Sequence, residues 1–465
     1  MAASPAARRP GGRIDVFDES RPMWRLFLVF LAPLMLSNVL QSISQTLNSI
    51  YLGRMIGVLA LAAVSAIFPI VFLLISFLIG IASGSTVLIG QAFGAGDEHG
   101  VKKVAGTTLG ATVALSILIG VAGYAFSPDL LGLLGTPANI LHDSDLYARI
   151  VFVTAPVLFP YLVYTTFLRG TGDSQTPLYF LLLSTAIGLV ATPAFIAGWF
   201  GLPHLGVASA AVASFVAQLA AFAALLGYLH RTRHPLRFDL EMLRDMRIDW
   251  KIFSTVVRIG IPAGVQMITV SLAEIAVLSF VNRFGSSATA AYGAVNQVAS
   301  YVQFPALSIG ITASIFGAQC IGARREDRLG SVVRAGVGMN YLAGVVIIGL
   351  CYTFAWSLLG WFITDAHTLE IAHRLLMITL WGYVAFGNTS VLSGIMRSSG
   401  TVFWPTAIGI FTIWGVEVPV AYFFMRRIGL DGVWMGYPIS FCIGLLLQYI
   451  YYRFVWKHKT HERLI

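Results

Sequence analysis

Long stretches of this chain carry no Asp, Glu, Lys or Arg: residues 55–96, 104–128, 174–230, 284–323 and 335–364. A helix of about 20 apolar residues crosses a bilayer, so the longest of these must hold two crossings and a turn. Composition agrees. Apolar and aromatic residues make up 57% of the chain and charged residues only 11%, with a mean hydropathy of +0.79. Too few polar side chains remain to cover a water-soluble surface. Disorder, coiled coil, collagen and a disulfide scaffold are excluded by the same figures. Continuous apolar runs, rather than short alternating ones, exclude a β-barrel. The fold class expected is an all-α polytopic membrane protein.

Twelve helices are expected, near 24–51, 59–93, 101–126, 140–169, 176–199, 205–230, 252–283, 287–320, 328–362, 367–396, 401–425 and 432–456. The polar start (Arg8, Arg9, Arg13, Asp15, Asp18, Glu19) precedes a first span too long for a signal-peptide core, which is therefore retained. With the N-terminus in the cytoplasm, 24 of the 30 Lys and Arg fall inside, and only Arg54, Arg149, Arg283, Arg374, Arg426 and Arg427 fall outside. Positive charge marks cytoplasmic loops, so both termini are expected inside. The net charge of +9 then needs no nucleic-acid partner. Cys320, Cys351 and Cys442 lie in apolar stretches without metal-ligand spacing and are expected to be small core residues.

The halves repeat. At an offset of 228, Gln91-Ala-Phe-Gly94-Ala95 meets Gln319-Cys-Ile-Gly322-Ala323, and Arg169-Gly-Thr-Gly172 with Pro177 meets Arg397-Ser-Ser-Gly400 with Pro405. Glu98 meets Glu326, and Gly57 meets Gly285. Near the ends the register drifts by one or two, pairing Pro33 with Pro262 and Pro193 with Pro419. Six spans per copy is an even number, so the copies insert in parallel, an arrangement typical of transporters with a site between repeats. The expected organisation is an N-terminal tail (1–22), an N-lobe (23–230), a cytoplasmic linker (231–250), a C-lobe (251–456) and a C-terminal tail (457–465). Within the linker, Phe238–Ile248 sets Leu240, Met242, Leu243 and Met246 among charges. It reads equally as an element lying along the inner interface or as a solvated helix.

Acids inside spans are the sharpest chemical signal, because a charge at mid-bilayer costs at least about 2.5–3.5 kcal/mol. Glu274 and Glu417 lie well inside predicted spans. Glu274 follows Pro262 by twelve residues and shares a face with Met267 and Ser271; Glu417 precedes Pro419, where an ion pair or a hydrogen bond near the kink is the structural alternative. In the first helix Asn38, Gln41, Gln45 and Asn48 form a neutral polar stripe, read either as interhelical hydrogen bonding or as the lining of a substrate path. Asn296 and Gln303 share a face of the eighth helix, and Asn388 with Tyr383 falls in the tenth. Arg169 and Arg397 are expected to be structural, tying helix ends through backbone carbonyls. Gly94-Ala-Gly-Asp-Glu-His-Gly100 follows no strand and lacks a Gly-Lys-Ser/Thr, so it is no phosphate loop. All nine His lie in loops, tails or helix ends, which disfavours haem ligation.

Leu52-Gly53-Arg54, Ala60-Leu-Ala-Ala-Val64, Gly90-Gln-Ala-Phe-Gly-Ala-Gly-Asp97, and Leu168-Arg-Gly-Thr-Gly-Asp173 with Thr176-Pro177 together resemble the multidrug and toxic compound extrusion (MATE) family. The resemblance spans residues 24–456. It implies two six-helix lobes around a central cavity, no enzymatic activity, and export of amphipathic organic cations driven by proton or sodium entry. Many members carry an Asp in the first helix where this chain has Asn48, and Asn and Asp in the fifth where it has Gly188 and Thr192. The acidic N-lobe cluster is therefore expected to be absent, which shifts coupling to Glu274, with Glu417 second. Protons are favoured over sodium because sodium wants several oxygen ligands. No cofactor or bound metal is expected. The partners expected are the substrates and membrane lipid, with the chain a monomer in the bacterial inner membrane. A sodium-coupled exporter, a lipid-linked oligosaccharide flippase and a channel stand as alternatives.

Overall fold

The structure, a computed structural model, describes residues 16–464. The basic cluster of the N-terminal tail lies outside the described residues. The chain runs through α1 (Met23–Tyr51), α2 (Val58–Gly94), α3 (Glu98–Leu133), α4 (Ala138–Gly170), α5 (Gln175–Ala197), α6 (Ala208–Arg231), the short α7 (Leu240–Asp245) and α8 (Trp250–Val281). It continues through α9 (Ser286–Gly322), α10 (Leu329–Thr353), α11 (Ala355–Gly360), α12 (Ala366–Thr379), α13 (Gly382–Arg397), α14 (Phe403–Phe411), α15 (Val418–Ile428), α16 (Leu430–Trp434) and α17 (Gly436–Phe454). Among the described residues, eleven helices are long and apolar enough to cross a membrane, and the bent pair α12–α13 completes a set of twelve. The all-helical, multi-pass architecture expected from the charge-free runs is the one found.

Turn chemistry carries the repeat as clearly as residue identity does. Gly57 and Gly285 both start a 37-residue helix (α2 and α9) from positive φ, at +126° and +96°. At the same offset Gly172 and Gly400 have φ of +84° and +77°, and Gly96 (+72°) is matched by Arg324 (+57°). Left-handed backbone is easy for Gly and unfavourable for Arg, so the second copy keeps the turn after losing the residue that favours it. Aspartates then open several helices. Asp97 accepts from Gly100 N at 2.8 Å, and Asp365 from Thr368 N at 2.8 Å. Asp173 Oδ1 accepts from Thr176 N at 2.9 Å while its Oδ2 accepts from Thr176 Oγ1 at 2.6 Å. The motif ending in Asp173 is thus an N-terminal cap for α5.

The copies differ where the ladder of helical hydrogen bonds is interrupted. The single long α3 corresponds to α10 and α11, which break at Phe354, and the expected ninth span is divided there. The unbroken α4, despite Pro156 and Pro160, corresponds to α12 and α13, which meet at 43° without a proline. Tyr352 explains this bend. Its hydroxyl accepts from Trp381 N at 3.1 Å and donates to Met377 O at 3.2 Å, standing between two groups that would bond each other in a continuous helix. A side chain inserted into the ladder is a recognised cause of kinks.

The chain divides into two compact units. One comprises Ala32–Gly260; the other takes the described residues through Leu31 together with Ile261–Ile465. The opening of α1 therefore belongs to the second unit and the opening of α8 to the first, and the boundaries fall beside Pro33 and Pro262. Within the second unit Phe27 and Phe30 meet Phe316 edge-on at 5.3 and 5.5 Å, and Arg328 donates to Val16 O at 2.8 Å. There α9 packs against α10, α12 and α13. It approaches α13 so closely that a Cβ on Gly394 would lie 2.2 Å from Gly310 O.

Within the first unit the linker is clamped to α3. A Cβ on Gly110 would lie 2.1 Å from Met246 O, so the bare backbone admits the linker chain. Lys102 Nζ donates to Asp239 at 2.8 Å and also to Glu241. Arg237 Nε reaches Asp239 at 2.8 Å, Lys103 pairs with Asp249 at 2.8 Å, and the Tyr164 hydroxyl donates to Leu236 O. The helix expected around 238–248 is shorter than its apolar pattern suggests, because Asp239 caps it at Leu240 and it ends at Asp245. Its Met242 is buried against the unit while Leu240 and Leu243 are exposed.

Candidate functional site

In the second unit, polar side chains collect between α8, α9, α13, α17 and the π-helical turn Thr412–Glu417. Pro419 has no N–H for the carbonyl of Gly415, and the turn before it widens. Thr412 Oγ1 lies 3.0 Å from Ile408 O and 2.9 Å from Gly409 O, occupying carbonyls at the start of the widened turn. Glu417 closes that turn, 5% exposed, with Ser440 Oγ donating to its Oε2 at 3.1 Å. The hydrogen-bond alternative raised for Glu417 is present, and the residue is nonetheless buried inside a span.

Around the carboxylate stand tyrosines. Tyr292 and Tyr437 share a hydroxyl–hydroxyl hydrogen bond at 3.2 Å, and Tyr292 stacks on Trp434 at 5.2 Å. Tyr383, just past the α12–α13 bend, contacts Phe441 edge-on at 5.2 Å. Asn296, half-buried and four residues along α9 from Tyr292, lies in polar reach of its hydroxyl. Asn388 is buried and accepts from Asn340 Nδ2 at 3.0 Å, and Asn340 also donates to Val384 O at 2.9 Å. Gly387 makes room, since a Cβ there would sit 1.9 Å from Asn340 Oδ1.

Glu274 is placed differently. On α8 the residues Ala273, Val277 and Val281 face the core, and Glu274, one step round the helix, stays exposed. It makes no hydrogen bond among the described residues, yet its charge acts on Glu417, Tyr292 and Tyr383. Gln303 is half-buried, without a hydrogen bond among the described residues. Sequence reasoning missed Asn340, Tyr292, Tyr437 and Ser440. Asn340 left a usable signal as an amide inside the charge-free run 335–364, whereas tyrosines are too common in spans to stand out.

In the first unit the stripe on α1 divides. Asn48 Oδ1 accepts from Thr192 Oγ1 at 3.2 Å, so the two residues form a neutral pair between α1 and α5. Ser44 donates to Thr185 Oγ1 at 3.0 Å. Asn38 is half-buried, while Gln41 and Gln45 are exposed. Pro33 and Pro262 lie inside α1 and α8; Arg169 and Arg397 end α4 and α13, both half-buried, each followed three residues on by a left-handed glycine. Of the cysteines, Cys320 and Cys351 are buried but Cys442 is exposed, because the apolar run that holds it has an outward face on α17. At the linker, ligand atoms of His99, Glu241 and Asp245 come within 4.8 Å of one another, but the Lys102 ammonium already sits on Glu241 and supplies the positive charge.

A family model described as MatE matches residues 33–194 and again 262–423, one match per repeat. The chain is 53% identical to the probable multidrug resistance protein YoeA of Bacillus subtilis over 96% of this chain and 97% of that protein. It is 29% identical to the probable multidrug resistance protein YpnP of the same organism, over 92% and 95%. The crystal structure of the MATE transporter VcmN from Vibrio cholerae in its bent form superposes with a TM-score of 0.85 at 19% identity, covering 92% of this chain and 96% of that one. With both repeats matched and more than half of the residues shared with one relative, the chain belongs to the MatE family of membrane transporters, which are not enzymes.

Proposed function

We propose that this chain is a multidrug exporter of the bacterial plasma membrane, expelling amphipathic organic cations in exchange for protons, with both termini in the cytoplasm. The observation that carries the reading is a pair of carboxylates within spans of one unit: Glu417, buried beside Tyr437 and hydrogen-bonded by Ser440, and Glu274, with Tyr292 and Tyr383 in electrostatic reach of both. A carboxylate inside a span binds either a cation or a proton, so the two ligands exclude each other. Tyrosine faces favour an organic cation over a small hydrated one. That YoeA and YpnP are named probable multidrug resistance proteins supports drug export, without specifying the charge of the substrate.

Glu274 is the exchanging group in this reading, because it is accessible and without a hydrogen bond among the described residues. Glu417, held by Ser440, tunes it. Sodium fits less well: hard cations want several oxygens at once, and Glu417 has one hydroxyl partner. The neutral Asn48–Thr192 pair supports coupling in the second unit. The test is efflux of a fluorescent organic cation from everted vesicles with pH and sodium gradients imposed separately. Glu274→Gln should abolish pH-driven efflux at normal yield, and Glu417→Gln should slow it severalfold. Normal pumping by Glu274→Gln would remove that residue from the mechanism, and efflux on a sodium gradient alone would replace the proton.

A further inference from the structure

Where the linker crosses the start of α3, the first unit holds a hollow of about 260 Å³ lined by Lys103, Thr107, Arg244, Asp245, Arg247 and Asp249. Its charges are unevenly settled. Lys103 and Asp249 neutralise each other at 2.8 Å, whereas Arg244 and Arg247 have no ion-pair partner among the described residues. Thr107 is 1% exposed, and its hydroxyl has no hydrogen-bond partner among the described residues. The buried Oδ2 of the half-buried Asp245 has none among the described residues either, although the Lys103 ammonium is in electrostatic reach of this carboxylate. Buried polar atoms are almost always paired, so two unpaired ones in the wall of one hollow point to a missing ligand. That ligand must offer an anion to the arginines and a charged donor to the carboxylate.

The rim says where the ligand comes from. Leu240 is 84% exposed, Leu243 53% and Trp250 73%, beside exposed arginines. Tryptophan and leucine next to basic side chains make a surface suited to the membrane–water boundary, and basic pockets flanking spans take lipid headgroups. A phosphate diester carrying a primary ammonium matches both halves of the hollow. Phosphoglycerol lacks the second charge, and phosphocholine has the charge but no N–H to donate.

We propose that this hollow binds the headgroup of a phosphoethanolamine lipid, its phosphate between Arg244 and Arg247 and its ammonium on Asp245 Oδ2, with Thr107 completing the hydrogen bonds. The acyl chains leave past Leu240, Leu243 and Trp250. The linker is then held to the bilayer as well as to α3.

Native mass spectrometry of the full-length protein, offered equimolar phosphatidylethanolamine, phosphatidylcholine and phosphatidylglycerol, tests this. Phosphatidylethanolamine adducts should exceed either competitor about tenfold. The double variant Arg244→Ala/Arg247→Ala should lose about tenfold in binding both phosphatidylethanolamine and phosphatidylglycerol. Asp245→Asn, which keeps shape, should abolish the preference between those two lipids. Both arginines are exposed, and a melting temperature within a few degrees of the parent certifies each variant as folded. Equal retention of phosphatidylcholine, an unchanged double variant, or displacement of the lipid by millimolar inorganic phosphate would overturn the assignment.

Discussion

Asp239 concentrates the attachment of the linker in one carboxylate. It caps α7 through Met242 N at 3.0 Å while receiving Lys102 and Arg237. Burial opposes its charge, but the hydrogen bonds from Arg237 and Lys102 outweigh that and hold the carboxyl well below its ordinary 3.8. A carboxyl whose pKa is lower folded than unfolded stabilises the fold above the unfolded value, and that contribution is lost as pH falls through the folded one. The clamp should therefore be intact at neutral pH and weaken progressively below about pH 4, seen as faster proteolysis of residues 231–250 in detergent. Asp239→Asn should give a similar loosening at neutral pH, a loss of about 1–3 kcal/mol read from amide exchange across α7. None of this was legible beforehand. Lys102 sits five residues into a long helix and Asp239 lies 137 residues away, so no local spacing announces the pair. The two carboxylates within spans were legible, since charge in an apolar run is conspicuous. Which of them the packing covers was not, because that depends on neighbours far away in sequence.

Helices were read from the absence of charge, and that signal is strong enough to place nearly every one. What it does not contain is where a helix breaks. The bend between α12 and α13 contains no proline; Gly382 opens α13 directly after it, and the hydroxyl of Tyr352, from a different helix, takes the place of the missing ladder bond. Tyr352→Phe should leave either Trp381 N–H and Met377 C=O facing a gap or the bend partly closed. The expected loss is about 1–3 kcal/mol of stability, measured as a lower melting temperature in detergent. Because Tyr383 follows the bend by two residues, transport of organic cations should also fall. The widened turn before Pro419 is the converse case, where the proline was visible but its effect was not: a proline inside a span can break a helix, widen it or leave it continuous, as Pro156 and Pro160 leave α4.

For the whole molecule, the distribution of Lys and Arg makes a claim about sidedness that chemistry can check. In a Cys442→Ser background, which removes the exposed native thiol, an impermeant maleimide added to intact cells should label Leu133→Cys and miss Arg231→Cys. The reverse pattern would invert the molecule. The matched left-handed turns mean that a twofold-repeated backbone underlies both units, while Arg324 in place of Gly96 shows how far residue identity has drifted within it. The opening of α1 carries a different consequence, one of timing. Phe27 and Phe30 belong with Phe316, about 290 residues further along the chain. At synthesis rates of roughly 5–20 residues per second, the first span must persist for roughly 15–60 seconds before the residues that complete its packing have left the ribosome. The opening of α1 thus cannot finish packing until Phe316 has been made, and through that interval it is open to capture by insertion factors or to degradation.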